Sequence, residues 1–359
     1  MHQWHDYHFV DEWQKSGHTV VTVNASLTND IFDEKKTLLS ITSKLSKKTS
    51  NLLFCTTGDD FMSVGILKEL KRLNVALVRL ACDDLSVPFK SKSTAKFYDV
   101  YWTSTPENVD ILKSYGANCL VMPFAANPYH FNFKPINDFP KNVIGFIGTP
   151  YGSRVRDLNT FIESGFNVQI YSRTKGLAFN KPNLGILNYL KLRSKQFKYV
   201  LDSMSFSSGR SLIYSSILNR LDQNEFDINH IADYLDPPSF DNFPIIASSL
   251  PISYGSTILS NTDMLRKPLH NIRLREFEIT SCGGCHLVNR SDLLMDYFED
   301  SHEIVMYSSK DEMLDKAEYY MRPENLTIRN KIAQAARRRV ISDHSWTCRL
   351  DKIQDYLDQ

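Results

Sequence analysis

The sequence predicts an α/β protein with two Rossmann-like domains, each built on a parallel sheet. Three observations support this prediction. Strand-like apolar runs alternate with helices over 51–122 and again from 142 onward, as in parallel sheets covered by helices on both faces. The segment FNFKPINDFPK at 131–141 has two prolines and no periodicity, so it predicts a linker. The length of 359 residues suits two domains of ordinary size.

Composition narrows the function classes. The formal net charge is +1, which argues against a general nucleic-acid-binding surface. The sequence contains no run of about 18 uncharged apolar residues, so no membrane-spanning helix is predicted. The first twenty residues are polar and histidine-rich and lack the apolar core of a signal peptide. We therefore expect a cytoplasmic protein with at most peripheral membrane contact.

Six cysteines occur, at positions 55, 82, 119, 282, 285 and 348. Several lie in apolar runs, where free cysteine packs as a small hydrophobe. Cys282-Gly-Gly-Cys285-His286 also matches the c-type haem attachment pattern, and its thiols could bind zinc together with His344 and Cys348. The missing export signal and the irregular spacing favour packing, and no metal site is predicted.

The N-terminal region predicts a helix from Tyr7 to Ser16 and a strand over Thr19–Val23. No strand precedes the helix, although a Rossmann-like domain usually opens with one. We expect His5 and Asp6 in the loop that follows the first strand of such a domain; the alternative is a disordered terminus.

A helix over about 31–46 then leads into strands at 51–56, 75–82, 99–103 and 119–122. Asp83 directly follows the second of these strands, at the sheet edge where ligands bind. It is a candidate general base or hydroxyl ligand. The alternative is an aspartate that caps backbone N–H groups.

The second alternating run begins with a buried strand at 142–148, a glycine-containing turn and a helix to Ser164. Glycines after a strand let backbone amides approach phosphate oxygens, and arginines nearby can neutralise them. A strand at 167–171 delivers further basic residues to the same edge. The candidate phosphate-binding residues are Gly148, Tyr151, Arg154 or Arg156, Arg173 and Lys175.

Residues 177–250 predict a helical insertion, including a helix over 211–235. It could shape an acceptor cleft or an oligomer interface, and the sequence does not decide between them. A strand-like run at 252–261 follows and places Ser256 near the same edge. Beyond residue 288, the pattern predicts helix, strand and three further helices, with Ser309 and Glu312 as a capping box.

Residues 268–288, PLHNIRLREFEITSCGGCHLV, predict a turn, a short helix, a glycine stop and a buried strand. Asn271, Arg275 and Glu278 fall at i, i+4 and i+7, so they should share one helix face. A cation and a carboxylate beside free backbone N–H groups form a candidate cradle for a ribose joined to a diphosphate. The alternative is a surface helix with an Arg–Glu pair.

The pattern R-x-F-E-x-x-x-C-G-G followed by an apolar strand resembles the C-terminal signature of GT-B glycosyltransferases, specifically the group related to the spore maturation protein CgeB. The resemblance extends to the acidic pair at 83–84, MPFAANPYHF at 122–131, F-x-G-x-x-x-x-x-R at 146–154 and H-x-x-x-x-R at 344–349. It implies that Glu278 binds the ribose of a nucleotide-sugar. His270 stands where these families carry an acid that grips the sugar.

The resemblance implies a GT-B fold, in which two Rossmann-like domains face a central cleft. Residues 1–135, which the C-terminal helix 345–359 could complete, would bind the acceptor, and residues 141–344 would bind the donor. The implied reaction moves a sugar from a nucleoside diphosphate sugar to a hydroxyl of a glycan, lipid-linked or protein acceptor, without a metal or other cofactor. Candidate bases are Asp83, Asp6 and His5; retention or inversion is left open.

Two other functions remain open from the sequence. One is a different GT-B activity, such as a sugar epimerase or phosphorylase. The other is a non-catalytic protein that binds a nucleotide-sugar or acts as a scaffold, which the histidine at position 270 and the absent first strand favour. A role in glycan biosynthesis is expected for the transferase, and homo-oligomerisation is undecided.

Overall fold

A computed structural model describes residues 3–47, 49–81, 85–133, 139–173, 197–221 and 233–359. The chain divides into two compact units. Unit 1 comprises Met1–Ser16, Phe124–Tyr189 and Tyr214–Arg349, and unit 2 comprises Gly17–Pro123, Leu190–Ile213 and Leu350–Gln359. Each unit contains a parallel sheet with helices, so the predicted α/β class is confirmed. No helix within the described ranges is long and apolar enough to span a membrane.

The strands of unit 2 form a short hairpin and a parallel sheet. They are β1 (Leu27–Thr28), β2 (Ile31–Phe32), β3 (Leu52–Cys55), β4 (Ala76–Ala81), β5 (Val100–Thr103) and β6 (Cys119–Val121). In the described part of this unit the sheet has four strands in the order β3-β4-β5-β6, which is also their order along the chain. All four strands were predicted, with boundaries one or two residues too wide.

The strands of unit 1 are β7 (Val143–Ile147), β8 (Asn167–Tyr171), β9 (Asp233–Leu235), β10 (Ile252–Gly255), β11 (His286–Asn289) and β12 (Val305–Tyr307). All pairings are parallel, and the described strands run in the order β12-β11-β10-β7-β8-β9. Strands β8 and β9 therefore lie on one side of β7, and β10, β11 and β12, which follow in the chain, lie on the other side. This reversal between β7 and β10 is a topological switch point.

The helices surround these sheets. Residues 3–15 form one helical run, α1, whose segments are Gln3–His5, a π-helical Asp6–Val10 and Asp11–Lys15. The others are α2 (Glu34–Thr42), α3 (Val64–Arg72), α4 (Val109–Ser114), α5 (Ser153–Glu163), α6 (Ser207–Leu221), α7 (Phe243–Ser249), α8 (Leu274–Ser281), α9 (Asp292–Met295), α10 (Lys310–Met321), α11 (Leu326–Asp343) and α12 (Trp346–Leu357). Residues 197–204 are also helical.

Both cores follow the predicted periodicity. In unit 2, α3 presents Ile66, Leu67 and Leu70 to the sheet at helical spacing, and all three are fully buried. In unit 1, Leu158 and Phe161 of α5 pack in the core against the β strands. Burial of one apolar stripe per helix holds each helix against its sheet.

Several predictions near the N-terminus are wrong. Residues 19–23 form no strand, because the run of polar and β-branched residues there finds no partner strand within the described chain. Residues 31–32 belong to a hairpin rather than to a helix, and α2 begins only after Asp33, whose carboxylate accepts a hydrogen bond from Lys36 N at 3.0 Å. His5 and Asp6 lie in α1, not in a loop.

Two predictions in unit 1 also need correction. Within the predicted helix over 211–235, the structure describes helix as far as Leu221, and residues 233–235 form the edge strand β9 instead. The predicted strand at 252–261 ends at Gly255. By contrast, the predicted glycine stop after α8 is confirmed: Gly283 has φ 77°, and its N–H donates to Thr280 O at 3.0 Å.

Candidate functional site

The candidate site lies at the carboxyl edge of the unit 1 sheet, where β7 and β10 diverge. The turn after β7 depends on Gly152, which has φ 61° and where a Cβ atom would lie 2.1 Å from Ser260 O. Only glycine fits there. Ser153 N donates to the same carbonyl at 2.9 Å, so this turn is held against the loop after β10. The two loops that leave the switch point are therefore fixed together.

Arg154 lies in the first turn of α5 and is only 7% exposed. Its Nη1 donates to Thr149 O at 3.0 Å, and its guanidinium lies 4.5 Å from the centre of the Tyr151 ring. Burial, reinforced by the nearby charge of Arg273, lowers the pKa of Arg154 to about 10. The side chain stays charged at neutral pH in surroundings that disfavour the charge.

Arg273 precedes α8 and reaches the loop after β10. Its guanidinium donates to Ser256 O, and to Ile258 O at 3.2 Å. Both acceptors are neutral carbonyls. The buried Glu276 carboxylate interacts with Arg273 and with Arg154 and offsets part of their charge, so two guanidinium groups face one carboxylate at this edge. The remaining positive charge creates a preference for an anion.

The first turn of α8 does not offer the free N–H groups that the sequence predicted. Glu276 is 2% exposed, and its Oε2 accepts a hydrogen bond from Arg273 N at 2.7 Å. A carboxylate thus already occupies this helix N-terminus. An anion at this edge would be bound mainly by guanidinium side chains.

Arg275 and Glu278 form an ion pair on α8. The Arg275 side chain is 40% exposed, its Nε donates to Ile147 O at 3.3 Å, and its Nη1 pairs with Glu278 Oε2. The guanidinium also covers the Phe243 ring at 4.8 Å. These contacts aim Arg275 at the end of β7. The shared helix face predicted for these two residues is confirmed, whereas Asn271 lies before the helix.

Glu278 is not the open carboxylate that the sequence predicted. It is 1% exposed, and burial raises its pKa, opposed by the charge of Arg275. Within the described residues its Oε1 has no hydrogen-bond partner. Nε2 of His8, on α1, lies 3.4 Å from this oxygen. His8 and Arg275 together cover Glu278, with one side chain near each carboxylate oxygen.

His270 lies in a hydrogen-bonded cluster behind β10. Asn289 Nδ2 donates to Thr257 Oγ1 at 2.8 Å, and Thr257 Oγ1 shares a hydrogen bond of 2.9 Å with His270 Nδ1. Burial lowers the pKa of His270, so the ring is neutral at pH 7. The position where the resemblance places an acid therefore holds a neutral imidazole.

Comparison with known proteins agrees with this architecture. Residues 255–355, which include Arg273, Arg275 and Glu278, match the glycosyl transferase-like family. Solved structures that resemble the chain over both units are GT-B transferases. The fold is GT-B. No curated protein matches the chain in sequence.

Three of these GT-B structures illustrate the likeness. Sucrose-phosphate synthase from Thermosynechococcus elongatus is 10% identical, with a TM-score of 0.53, over 90% of this chain and 77% of that one. Anabaena Alr3699/HepE in complex with UDP-glucose is 10% identical, with a TM-score of 0.52, over 86% and 78%. An alpha-glucosyltransferase in complex with UDP-glucose and DNA containing an abasic site is 11% identical, with a TM-score of 0.54, over 90% and 83%.

The remaining predicted site residues are distributed unevenly. Gly148 and Tyr151 lie in the turn after β7, and exposed Arg173 follows β8. Ser256 is 2% exposed, with its Oγ accepting from Ile258 N at 3.3 Å, and Asn271 is 4% exposed. Asp83 and Lys175 lie outside the described residues. The structure therefore brings Tyr151, Arg154, Arg275 and His270 to unit 1 positions near the switch point, and the roles of all these residues stay predictions.

Sequence reasoning missed two residues that the geometry makes prominent. From the sequence, Arg273 was considered only for its backbone N–H, yet its guanidinium donates to two carbonyls. The R-x-R spacing of residues 273 and 275 was the sequence signal that could have indicated a second functional arginine. His8 lies in the histidine-rich first stretch, where His5 and Asp6 were favoured instead. Its approach to Glu278 depends on tertiary packing that no local pattern reports.

Cys282 and Cys285 are packing residues of unit 1. They are 0% and 3% exposed, and burial raises the pKa of the Cys285 thiol to about 12. Across the described part of the chain, no group of three or more His, Cys, Asp or Glu residues is placed to hold a metal ion. The alternative zinc set with His344 and Cys348 is therefore not assembled.

Proposed function

We propose that this chain is a glycosyltransferase that moves a sugar from a nucleoside diphosphate sugar to an acceptor hydroxyl. The observation that carries the proposal is the pair of repelling guanidiniums, Arg154 and Arg273, at the switch point of a GT-B sheet. Switch points bind ligands at the carboxyl ends of the strands. Two guanidiniums against the nearby carboxylate of Glu276 leave a positive charge that a diphosphate would neutralise.

The leaving group explains why these charges favour catalysis. When the bond between sugar and phosphate breaks, the diphosphate gains negative charge in the transition state. Guanidinium groups that are already in place stabilise that charge without reorganising. Removing one comparable hydrogen-bond donor typically raises the activation free energy by about 3 kcal/mol. We propose that Arg154, Arg273 and Arg275 fill this role, with Arg173 and Lys175 as further candidates, so that no metal is needed.

The other candidate roles follow from the chemistry of each side chain. Glu278 would accept hydrogen bonds from the ribose hydroxyls, and His270 would hydrogen-bond to the transferred sugar or a phosphate. Gly148, Tyr151, Ser256 and Asn271 would line the donor site. Residues 1–135 would bind the acceptor, with Asp83, Asp6 or His5 as the base of an inverting reaction.

Two structural neighbours were crystallised with UDP-glucose, so uridine diphosphate is the first probe to use. We expect the purified chain to bind uridine, guanosine or adenosine diphosphate in calorimetry, and the bound nucleotide to raise its melting temperature. We also expect release of nucleoside diphosphate from the matching nucleotide-sugar when an acceptor is present, in buffer containing a chelator. Absence of binding to all three nucleotides would contradict the proposal, and loss of turnover in the chelator would contradict metal independence.

A second candidate is a non-catalytic protein that binds a nucleotide-sugar. The closed position of Glu278, 1% exposed against His8, favours it, because an enzyme must open this contact in each cycle. Tight nucleotide binding without turnover across a panel of glycan, lipid-linked and protein acceptors would support this alternative. Turnover with any acceptor would exclude it.

A further inference from the structure

We propose that His8 competes with the donor's ribose for Glu278, so that this histidine sets the affinity of the chain for nucleotide. The inference rests on the proposed function, because it takes Glu278 as the ribose ligand. It concerns a residue of α1, which packs within unit 1.

The contact between His8 and Glu278 is close but poorly satisfied. Nε2 and Oε1 lie 3.4 Å apart without forming a hydrogen bond, and each side chain is 1% exposed. Nδ1 of His8 also has no hydrogen-bond partner among the described residues. Two buried polar atoms without partners are each costly relative to a hydrogen-bonded state.

The charge state of His8 does not compensate for the missing hydrogen bond to Glu278. Burial lowers the pKa of His8 well below 6.5, and the Arg275 guanidinium lowers it further, so the imidazole is neutral at pH 7. Arg275 already pairs with the other carboxylate oxygen, Oε2. A ligand hydroxyl that donates to Oε1 would therefore offer Glu278 a better contact than His8 does.

The backbone of α1 explains how His8 comes to this position. His8 lies in the π-helical segment Asp6–Val10, a rare form often found at functional sites. Contacts on both sides hold the segment in place. Asn127 Nδ2 donates to Tyr7 O at 2.9 Å, and the Glu12 carboxylate accepts from Thr347 N at 2.7 Å. Motion of the His8 side chain is thus the smallest change that frees Glu278.

The test compares Kd values for uridine diphosphate, or for whichever of the three nucleoside diphosphates the wild type binds. We expect His8→Ala and His8→Ser to lower Kd at least about fivefold, because both remove the competing ring. His8→Phe keeps a ring over Glu278 without supplying a hydroxyl donor, so we expect no gain in affinity. Melting temperatures without nucleotide establish that each variant is folded.

Two controls isolate the contact with Glu278. The rings of His8 and His130 each lie 5.1 Å from the Phe131 ring, but Nε2 of His130 bonds to Phe240 O. His130→Ala should therefore not tighten binding. In a double-mutant cycle, His8→Ala should change Kd less than about twofold once Glu278 is alanine, because nothing is left to compete for.

The outcomes separate this inference from the proposed function. If the wild type binds nucleotide and Glu278→Ala weakens it, but His8→Ala leaves Kd unchanged or raises it, only the competition is overturned. If Glu278→Ala has no effect on binding, the ribose role fails and the competition fails with it. If no nucleotide binds to the wild type or to His8→Ala, the proposed function itself is wrong.

Discussion

The two parallel sheets differ in strand order, and this difference decides where charge collects. In unit 2 the order β3-β4-β5-β6 follows the chain, whereas in unit 1 it reverses between β7 and β10. The reversal places the loops after β7 and β10 side by side at one edge, where the charges of Arg154 and Arg273 act on each other. The comparison teaches that topology, rather than overall composition near +1, assembles a cationic edge.

At the corresponding edge of unit 2, the structure describes an aspartate and an arginine whose charges interact. Asp59 follows β3, and its carboxylate accepts hydrogen bonds from Thr94 Oγ1 and, at 3.1 Å, from Ser93 Oγ. Arg79 of β4 donates to Cys55 O at 3.3 Å, and its charge partly offsets the upward shift of the Asp59 pKa that burial causes. Opposite charges near each other leave little preference for an added anion.

The largest effect is expected on nucleotide affinity when one arginine at each sheet edge is replaced, which tests the contrast between the two units. We expect Arg154→Gln to raise the Kd for nucleoside diphosphate about 100-fold, or about 2.7 kcal/mol, because a charge-assisted contact to phosphate is lost. The matched variant Arg79→Gln should change it less than about twofold. Calorimetry measures both, and equal effects would show that the strand reversal does not localise the anion site.

A smaller effect is expected on the pH dependence of the unfolding free energy. Two histidines that are buried in their neutral form, His286 and His344, lie in unit 1. Burial lowers the pKa of His286 to about 4 and that of His344 to about 4, below the unfolded value near 6.5. The unfolded chain therefore binds more protons, and stability present above pH 6.5 is lost as pH falls toward 4. At pH 5 each histidine should cost about 2 kcal/mol.

Urea unfolding at pH 7 and pH 5 measures this loss. In His286→Leu the fall in unfolding free energy between these pH values should be smaller by about 2 kcal/mol. Unit 2 contains only His18, so signals from its sheet should respond less to acid. An unchanged fall in the variant would mean that His286 is not buried neutral.

The smallest effect concerns helix caps, where the two units should behave alike. Ser63 Oγ accepts from Ile66 N at 3.2 Å in unit 2, and Ser309 Oγ accepts from Glu312 N at 3.1 Å in unit 1. We expect Ser63→Ala and Ser309→Ala each to cost about 1 kcal/mol of unfolding free energy, measured by denaturant titration. A cost in one unit only would mean that local capping also differs between them.

The capping box at α10 shows how closely local chemistry could be predicted. Ser309 caps the helix as expected, but the Glu312 carboxylate accepts from Ser308 N at 2.7 Å, one residue before the predicted N–H. Apart from β9, the strands of both sheets and the glycine stop after α8 were likewise predictable, because periodicity and glycine conformation act over a few residues. Short edge elements such as β9 were not, because their pairing is decided by distant strands.

By itself, the sequence determined the two α/β repeats and the pairing of Arg275 with Glu278 three residues apart, whereas the linker over 131–141 stays a prediction. Only the tertiary structure decided that Arg273 joins Arg154 at the switch point and that α1 covers Glu278 with His8. The reason is physical. Strand order and helix packing join residues more than a hundred positions apart, and burial in those contacts, not local spacing, sets which charges are paired and which oxygen is left without a partner.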